Sequence, residues 1–350
     1  MTAVTYTTPL DEFDTDTADA ALGPEIQTDR DRPPLGSFVF GPTYDGTCFI
    51  LLDNLLYYCK PKQPEAWPAL YYIEVGQPEF PLQTGVIHGG QVYVASQSDI
   101  WRIVGSGDGT FLPFRMDAKT GAQTLHGMKS VTGRGIFHTG PDGIYLWTAG
   151  DDRKITEENL EPIFRGEAVE GMSGVATMNN SWLFPYKNHL YFGYRGSGQA
   201  QPGNIIVLNM DTGRVAYFVY NDGSDVLIRA ITYDKTNKRL LVGDNSGYVR
   251  VIESTAYTDD SGTDISFDVK SKDYTLQTRA HFPRYVKYDI DASNATVTGE
   301  LYLDGTSHQS HTITANRDTK RRLVGTGNGN RASIRISGSG PASIYAAEFE

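Results

Sequence analysis

The sequence has few cysteines, no long apolar run and no excess of positive charge. Its two cysteines, Cys48 and Cys59, lie in one apolar stretch, and we interpret them as reduced, buried thiols rather than a disulfide. No apolar segment approaches the ~20 residues that cross a bilayer, and no N-terminal segment pairs basic residues with an apolar core. We therefore expect synthesis in a cytoplasm and no membrane insertion.

The net charge of -11 argues against a protein that holds nucleic acid by neutralising its phosphates, although DNA could still pass through an acidic lumen without sequence-specific binding. Long stretches with helical periodicity are also nearly absent. Instead the 350 residues include 37 glycines and 21 tyrosines, the usage of a strand-and-turn protein. The sequence predicts an all-β fold.

A loosely repeated strand motif organises residues 36–258. Its central residues are separated by 36, 52, 46 and 50 positions, a period that suits a four-stranded propeller blade. At about 45 residues per blade, this stretch predicts a β-propeller of about five to six blades. The repeats are Leu56-Tyr57-Tyr58, Val92-Tyr93-Val94, Ile144-Tyr145-Leu146, Leu190-Tyr191-Phe192 and Leu240-Leu241-Val242. One short helix, from Thr156 as its cap to Phe164, is expected between blades.

The two ends of the chain differ from the middle and from each other. Residues 1–35 carry eight acidic and two basic side chains and predict an extended arm, either a solvated tail or an arm that orders against a neighbouring subunit. Residues 259–350 alternate as in a small antiparallel β-sandwich, and 316–335 carry a net charge of +5. Opposite charges favour head-to-tail contacts between copies. The candidate assembly residues are Leu10, Phe13, Leu22, Arg317, Lys320, Arg321 and Arg322.

No pattern of residues indicates catalysis, a cofactor or a metal. The glycine-rich runs 105–109 and 325–329 lack the Lys-Ser or Lys-Thr of a phosphate loop and predict hairpins. His308 and His311 are spaced to opposite faces of a strand, and a structural role is favoured for His126 and His138. The pair Asp151-Asp152 is interpreted as solvated charge. A set of aromatic side chains could bind sugar, although core packing is favoured: Trp67, Tyr71, Tyr72, Trp101, Trp147, Trp182 and Tyr186.

Several of these strands carry a family resemblance. The motifs are Val92-Tyr93-Val94-Ala95-Ser96, Ile100-Trp101-Arg102-Ile103, Gly135-Ile136-Phe137-His138, Asp142-Gly143-Ile144-Tyr145-Leu146-Trp147, Lys154-Ile155-Thr156, Ile336-Ser337-Gly338 and Ser343-Ile344-Tyr345. With them, residues 80–350 resemble the tail hub or nozzle proteins of tailed bacteriophages, especially short-tailed ones.

The resemblance implies a non-enzymatic ring, typically of six copies, at the distal end of a virion tail. Such a ring continues or closes the DNA channel below the portal and adaptor proteins and docks fibres or spikes. The chain is short for a nozzle, which speaks against a long distal extension and leaves open that another protein closes the channel. The residues leave two other classes open: a propeller that binds a glycan or receptor, and a propeller glycosidase.

Overall fold

A computed structural model describes most of the chain. The described residues are 31–107, 109–148, 150–156, 160–169, 171–220, 226–252, 264–275, 285–292, 295–313, 319–322 and 329–349. They form many small antiparallel sheets, with one short α-helix among them, so the all-β prediction is confirmed. None of the described helical residues forms a segment of the length and apolarity that a bilayer crossing requires.

The chain divides into two compact units. The first runs to Gly198 and includes Ile206–Ala216, whereas the second comprises Gln199–Ile205 and Tyr217–Glu350. The sequence-predicted boundary near residue 258 falls within 253–263, and the predicted arm falls almost entirely within 1–30; both stretches lie outside the described residues. Those two domain limits stay predictions.

Four four-stranded sheets are formed by strands that follow one another along the chain and pair in that order. The first two sheets comprise β1 (Phe38–Phe40), β2 (Phe49–Leu52), β3 (Leu55–Tyr58) and β4 (Tyr72–Glu74), then β5 (Thr84–His88), β6 (Gln91–Ala95), β7 (Ile100–Val104) and β8 (Leu112–Arg115). The next two comprise β9 (Met128–Val131), β10 (Gly135–Gly140), β11 (Gly143–Thr148) and β12 (Asp151–Lys154), then β13 (Thr177–Tyr186), β14 (His189–Arg195), β15 (Asn204–Asn209) and β16 (Val215–Val219).

The first strands of these sheets contact one another in series: β1 contacts β5, β5 contacts β9, and β9 contacts β13. A three-stranded sheet of the same kind follows, made of β17 (Ile228–Asp234), β18 (Arg239–Asp244) and β19 (Val249–Ile252). The predicted pairings of 91–96 with 100–104, and of 240–243 with 248–252, are confirmed. Strands β7 and β8 pair antiparallel, so the described part of 105–109 lies in a hairpin connection, as predicted.

Strand β6 shows why such sheets pack in series. Its alternate residues Val92 and Val94 join a core with side chains of the first sheet, including Phe49. Tyr93 and Ala95 point the other way and join a core with Trp147 of the third sheet. Since successive strand residues face opposite sides, a continuous apolar run is what a strand buried on both faces requires.

The C-terminal strands form two further sheets. They are β20 (Ser266–Lys270), β21 (Tyr274–Thr275), β22 (Tyr285–Asp291), β23 (Thr296–Leu303), β24 (Thr306–Ile313), β25 (Thr319–Arg322), β26 (Arg331–Ser339) and β27 (Ser343–Phe349). The five-stranded sheet has the order β20-β26-β23-β24, with β21 also on β26, and the three-stranded sheet has the order β25-β22-β27. Side chains of β22, β23 and β26 share one core around the fully buried Tyr288.

The helix is shorter than the sequence predicts, and its predicted cap has a different role. Helix α1 spans only Glu161–Phe164 and begins with Pro162 in its first turn, where a missing N–H costs nothing. Thr156 is not its cap, because its buried Oγ1 accepts a hydrogen bond from the N–H of Ile144 at 3.0 Å. The predicted start of the helix was therefore wrong.

All four tryptophans are buried, which confirms the core-packing interpretation for these side chains. Trp182 lies directly over Gly193, its cross-strand partner in β14. Both cysteines are free, with Cys59 buried and Cys48 half-buried. The backbone N–H of Cys48 donates to the Cys59 Sγ at 3.1 Å, and burial raises the pKa of the Cys59 thiol.

Candidate assembly site

The best-formed cluster of titratable side chains is a buried pair in the third sheet. His138 of β10 is fully buried, and its Nε2 lies 2.9 Å from the Oδ1 of Asp152 in β12. Its Nδ1 lies 2.9 Å from the carbonyl oxygen of Gly121, and the backbone N–H of Lys119 donates to the Asp152 Oδ2 at 2.7 Å. The interpretation of Asp152 as solvated charge was therefore wrong, whereas Asp151 is exposed.

The buried pair of His138 and Asp152 has a structural role. Gly121 and Lys119 belong to the connection between the second and third sheets, so the pair fixes that connection to β10 and β12. A group that reacts with substrate must be reachable, and both side chains are at least 96 % buried. Among the described residues there is also no cluster of three or more His, Cys, Asp or Glu that could hold a metal ion.

A second polar cluster joins the third sheet to the fourth. Arg134, in the turn between β9 and β10, donates to the carbonyl oxygen of Met210 at 3.0 Å and to the Oδ1 of Asn188 at 2.6 Å. It also forms an ion pair with Asp211 in the turn after β15. Hydrogen bonds from Arg134 and Asn188 lower the pKa of the Asp211 carboxyl. These contacts connect hairpin turns of the third and fourth sheets.

An accessible apolar surface lies between the two C-terminal sheets. A groove of about 500 Å³ opens where β20 and β21 of the five-stranded sheet face β27 of the three-stranded sheet. We call it the edge groove; its lining includes Val269, Tyr274, Ile336, Ile344, Ala347 and Phe349. Its rim is well exposed, since Val269 is 51 % and Tyr274 48 % accessible.

Two strand edges flank the edge groove. Among the described strands, β27 pairs only with β22 and β20 pairs only with β26, so one edge of each carries no described partner. The rings of Tyr274 and Phe349 meet across the groove edge to face at 6.4 Å. A strand edge that borders an apolar floor is a surface on which another strand can add.

The opposite face of the five-stranded sheet is charged. Arg335 of β26 donates to both carboxylate oxygens of Asp268 in β20, and its Nη1 donates to the Tyr302 hydroxyl at 3.1 Å. Those hydrogen bonds lower the pKa of the Asp268 carboxyl. Strand alternation therefore gives this sheet one polar face and one face that holds the shared core and the edge groove.

The assembly residues predicted from sequence are placed only in part. Leu10, Phe13, Leu22 and Arg317 lie outside the described residues, and Lys320 and Arg322 are described only as backbone positions of β25. Arg321 is half-buried, and its Nη2 lies 3.5 Å from the carbonyl oxygen of Thr312. Arg321 also lies close enough to His311 to contribute to lowering the pKa of that imidazole.

The edge groove was not anticipated from sequence. Its walls come from stretches about seventy residues apart, 269–274 and 344–349. The available signal was the apolar content of both stretches, and nothing in their local pattern indicates that they meet.

His308 and His311 lie in different environments. His308 is exposed, whereas the Nδ1 of His311 lies 3.3 Å from the Tyr288 hydroxyl.

Neither a family model nor a curated protein matches this sequence. Among solved structures, the extracellular domain of a one-component system from B. thetaiotaomicron is similar over 62 % of this chain and 25 % of that chain, at 13 % identity and a TM-score of 0.38. Kluyveromyces marxianus Hsv2 is similar over 61 % and 62 %, at 8 % identity and a TM-score of 0.38.

A quinohemoprotein alcohol dehydrogenase from Pseudomonas putida HK5 is similar over 60 % of this chain and 39 % of its own, at 13 % identity and a TM-score of 0.35. The chain thus spans less than two thirds of the length of each of these structures. Likeness at these TM-scores assigns neither fold nor function to this chain.

Proposed function

We propose that this chain is a structural virion protein that forms a homo-oligomeric ring at the distal tail of a bacteriophage. The observation that carries the assembly role is the edge groove, an exposed apolar surface between two strand edges in the described sheets. A protein whose work is to join copies needs such a surface, because apolar burial supplies the driving force of association. The bacteriophage assignment rests on the family resemblance of residues 80–350.

The proposed architecture is a β-propeller of five or six blades, a C-terminal β-sandwich and an N-terminal arm. Four sheets of consecutive strands, with their first strands in series and a shared core on each face of β6, support blades. The core shared by β22, β23 and β26 supports a sandwich of the two C-terminal sheets. The acidic composition of residues 1–35 supports an arm.

In this role the ring, with six copies in the resembled family, continues or closes the DNA channel below portal or adaptor proteins and docks fibres or spikes. The net charge of -11 supports a lumen that repels DNA phosphates, so that DNA passes without adhering. The protein then works in the virion tail, is made in the host cytoplasm, and needs no catalytic residue or cofactor.

The test is the mass of the purified full-length chain, measured by size exclusion with multi-angle light scattering and followed by electron microscopy. We expect closed rings, and a variant that lacks residues 1–35 should keep its melting temperature while its assembly weakens. A chain that stays monomeric at all concentrations and binds immobilised glycans would instead establish the glycan- or receptor-binding alternative. Burial of all four tryptophans leaves that alternative without its strongest sugar platforms.

Charge reversal at Arg321 and Arg322 is expected to weaken assembly more than folding. Arg321 needs a folding control, because a carboxylate at this half-buried position would lie close to the buried Tyr288 and the half-buried His311. Thermal melts of each single reversal, measured alongside the assembly titration, separate the two effects.

A further inference from the structure

We propose that residues 2–8 of a neighbouring copy add as a β-strand along the edge of β27 that faces away from β22, and place Val4 and Tyr6 in the edge groove. This inference rests on the proposed ring and names the contact that joins its copies. Residues 1–30 lie outside the described residues, so their part in the argument comes from their sequence alone.

The receiving strand has the form that strand addition requires. β27 is seven residues long, and among the described strands only β22 pairs with it. The pairing register of β27 with β22 shifts between Asp289, opposite Ala346, and Ile290, opposite Ile344. Tyr345 is therefore the inserted residue of a β-bulge in β27. That shift sets Ile344, Ala347 and Phe349 along the groove, while Tyr345 is 56 % exposed and not part of the lining.

The floor of the edge groove is apolar and of useful size. Its volume of about 500 Å³ is far larger than one side chain needs, and it is lined mainly by aliphatic and aromatic groups. Ser271 and Glu348 are its polar members. An occupant should therefore bring two or more apolar side chains on one face and no negative charge at the groove itself.

Residues 2–8 meet these requirements. The segment Thr2-Ala3-Val4-Thr5-Tyr6-Thr7-Thr8 is uncharged, and five of its seven side chains are β-branched. At the period of two of a strand, Val4 and Tyr6 share one face and Ala3, Thr5 and Thr7 share the other. Its seven residues equal the length of β27.

Charge favours the same placement. The acidic run that begins at Asp11 and Glu12 follows the segment after Pro9 and Leu10. Lys272 stands at the rim of the groove, with its Nζ 5.5 Å from the centre of the Tyr274 ring. Residues that follow an added strand would thus bring carboxylates towards the ammonium group of Lys272.

We assign the donor to a second copy because the proposed ring requires contacts between copies, and a contact between two different surfaces can close copies into a ring. The segment between residue 8 and the first described residue contains 22 residues, 9–30. Fully extended, such a segment spans up to about 73 Å, which is enough to reach a neighbouring subunit.

Disulfide trapping in the full-length chain tests the contact. One variant carries Val4→Cys and another carries Ile344→Cys, and the two are mixed in equal amounts and oxidised. We expect a covalent heterodimer in the mixture, and little with the matched controls Thr5→Cys or Tyr345→Cys, whose side chains face away from the groove. Wild-type protein controls for crosslinks through Cys48 and Cys59.

A second readout is self-association measured by analytical ultracentrifugation. The double variant Val4→Asp/Tyr6→Asp should associate at least about tenfold more weakly than wild type, because it puts charge into an apolar groove. The opposite-face variant Thr5→Asp/Thr7→Asp should change association by less than about threefold. Melting temperature confirms that both variants fold.

The outcomes separate this inference from the ring itself. If wild type assembles but neither the crosslink nor the difference between the two Asp variants is found, the strand addition is overturned and the ring stands. If the Val4→Cys/Ile344→Cys chain crosslinks within one monomer, the exchange between copies is overturned. If wild type is monomeric at every concentration, both the ring and the exchange fall.

Discussion

Replacing Asp152 by alanine is the sharpest test of how the third sheet is held. Asp152 is 4 % accessible and accepts from two donors, the N–H of Lys119 at 2.7 Å and the His138 ring at 2.9 Å. Because the Gly121 carbonyl oxygen can only accept, the hydrogen bond to it is donated by His138 Nδ1, and the other ring nitrogen faces Asp152. Removal of the carboxylate leaves the Lys119 N–H and the His138 Nε2 without their partner.

The expected cost follows from those two groups. A buried polar group that loses its hydrogen-bond partner costs about 1–3 kcal/mol, so Asp152→Ala should lower the free energy of unfolding by about 2–6 kcal/mol. Urea denaturation followed by tryptophan fluorescence measures this, since Trp147 lies opposite Asp152 across β11 and β12. The matched control is Asp151→Ala, which alters the exposed neighbour and should change stability by less than about 0.5 kcal/mol.

If Asp152→Ala and Asp151→Ala unfold at the same urea concentration with the same slope, the pair does not hold the sheet. His138→Ala should give a loss similar to that of Asp152→Ala, and the double variant should lose less than the two single losses together, since each removes the same interaction.

Two further predictions concern packing and pH. Gly193→Ala would put a Cβ within 2.1 Å of the Trp182 ring and should cost about 1–3 kcal/mol by thermal melting, whereas Gly243→Ala, with its nearest neighbour at 3.8 Å, should be nearly neutral. Burial, with a smaller effect of Arg321, lowers the pKa of His311. Folding therefore loses stability as pH falls below the ordinary histidine pKa of about 6.5, and His311→Gln should flatten that part of a stability–pH profile.

The strands could be predicted because their cause is local. Strict alternation in 286–290 and 297–303 marks one buried and one open face, and the structure gives β22 and β23 there. Turn residues such as Asp142-Gly143 lie where β10 meets β11. Each of these features is decided within about ten residues of sequence.

Other features depend on partners far along the chain. Asp151 and Asp152 are identical in type, and only the register of β12 on β11 decides which of them is buried. The Thr156 cap was predicted from the acidic residues after it, but its hydroxyl accepts a hydrogen bond from the N–H of Ile144 in β11. Pro162 was the better signal for the start of the helix. The edge groove exists only where two distant strand edges meet.

The two-sided burial of β6 has a consequence for how this part of the chain opens. Val92 and Val94 serve one core while Tyr93 and Ala95 serve the next, so β6 cannot detach without breaking both. The three sheets around it should therefore exchange their amide hydrogens as a single cooperative unit, with β6 among the slowest. A destabilising substitution in any one of these sheets should therefore also lower the stability of its neighbours, and the series should resist mechanical force as one unit.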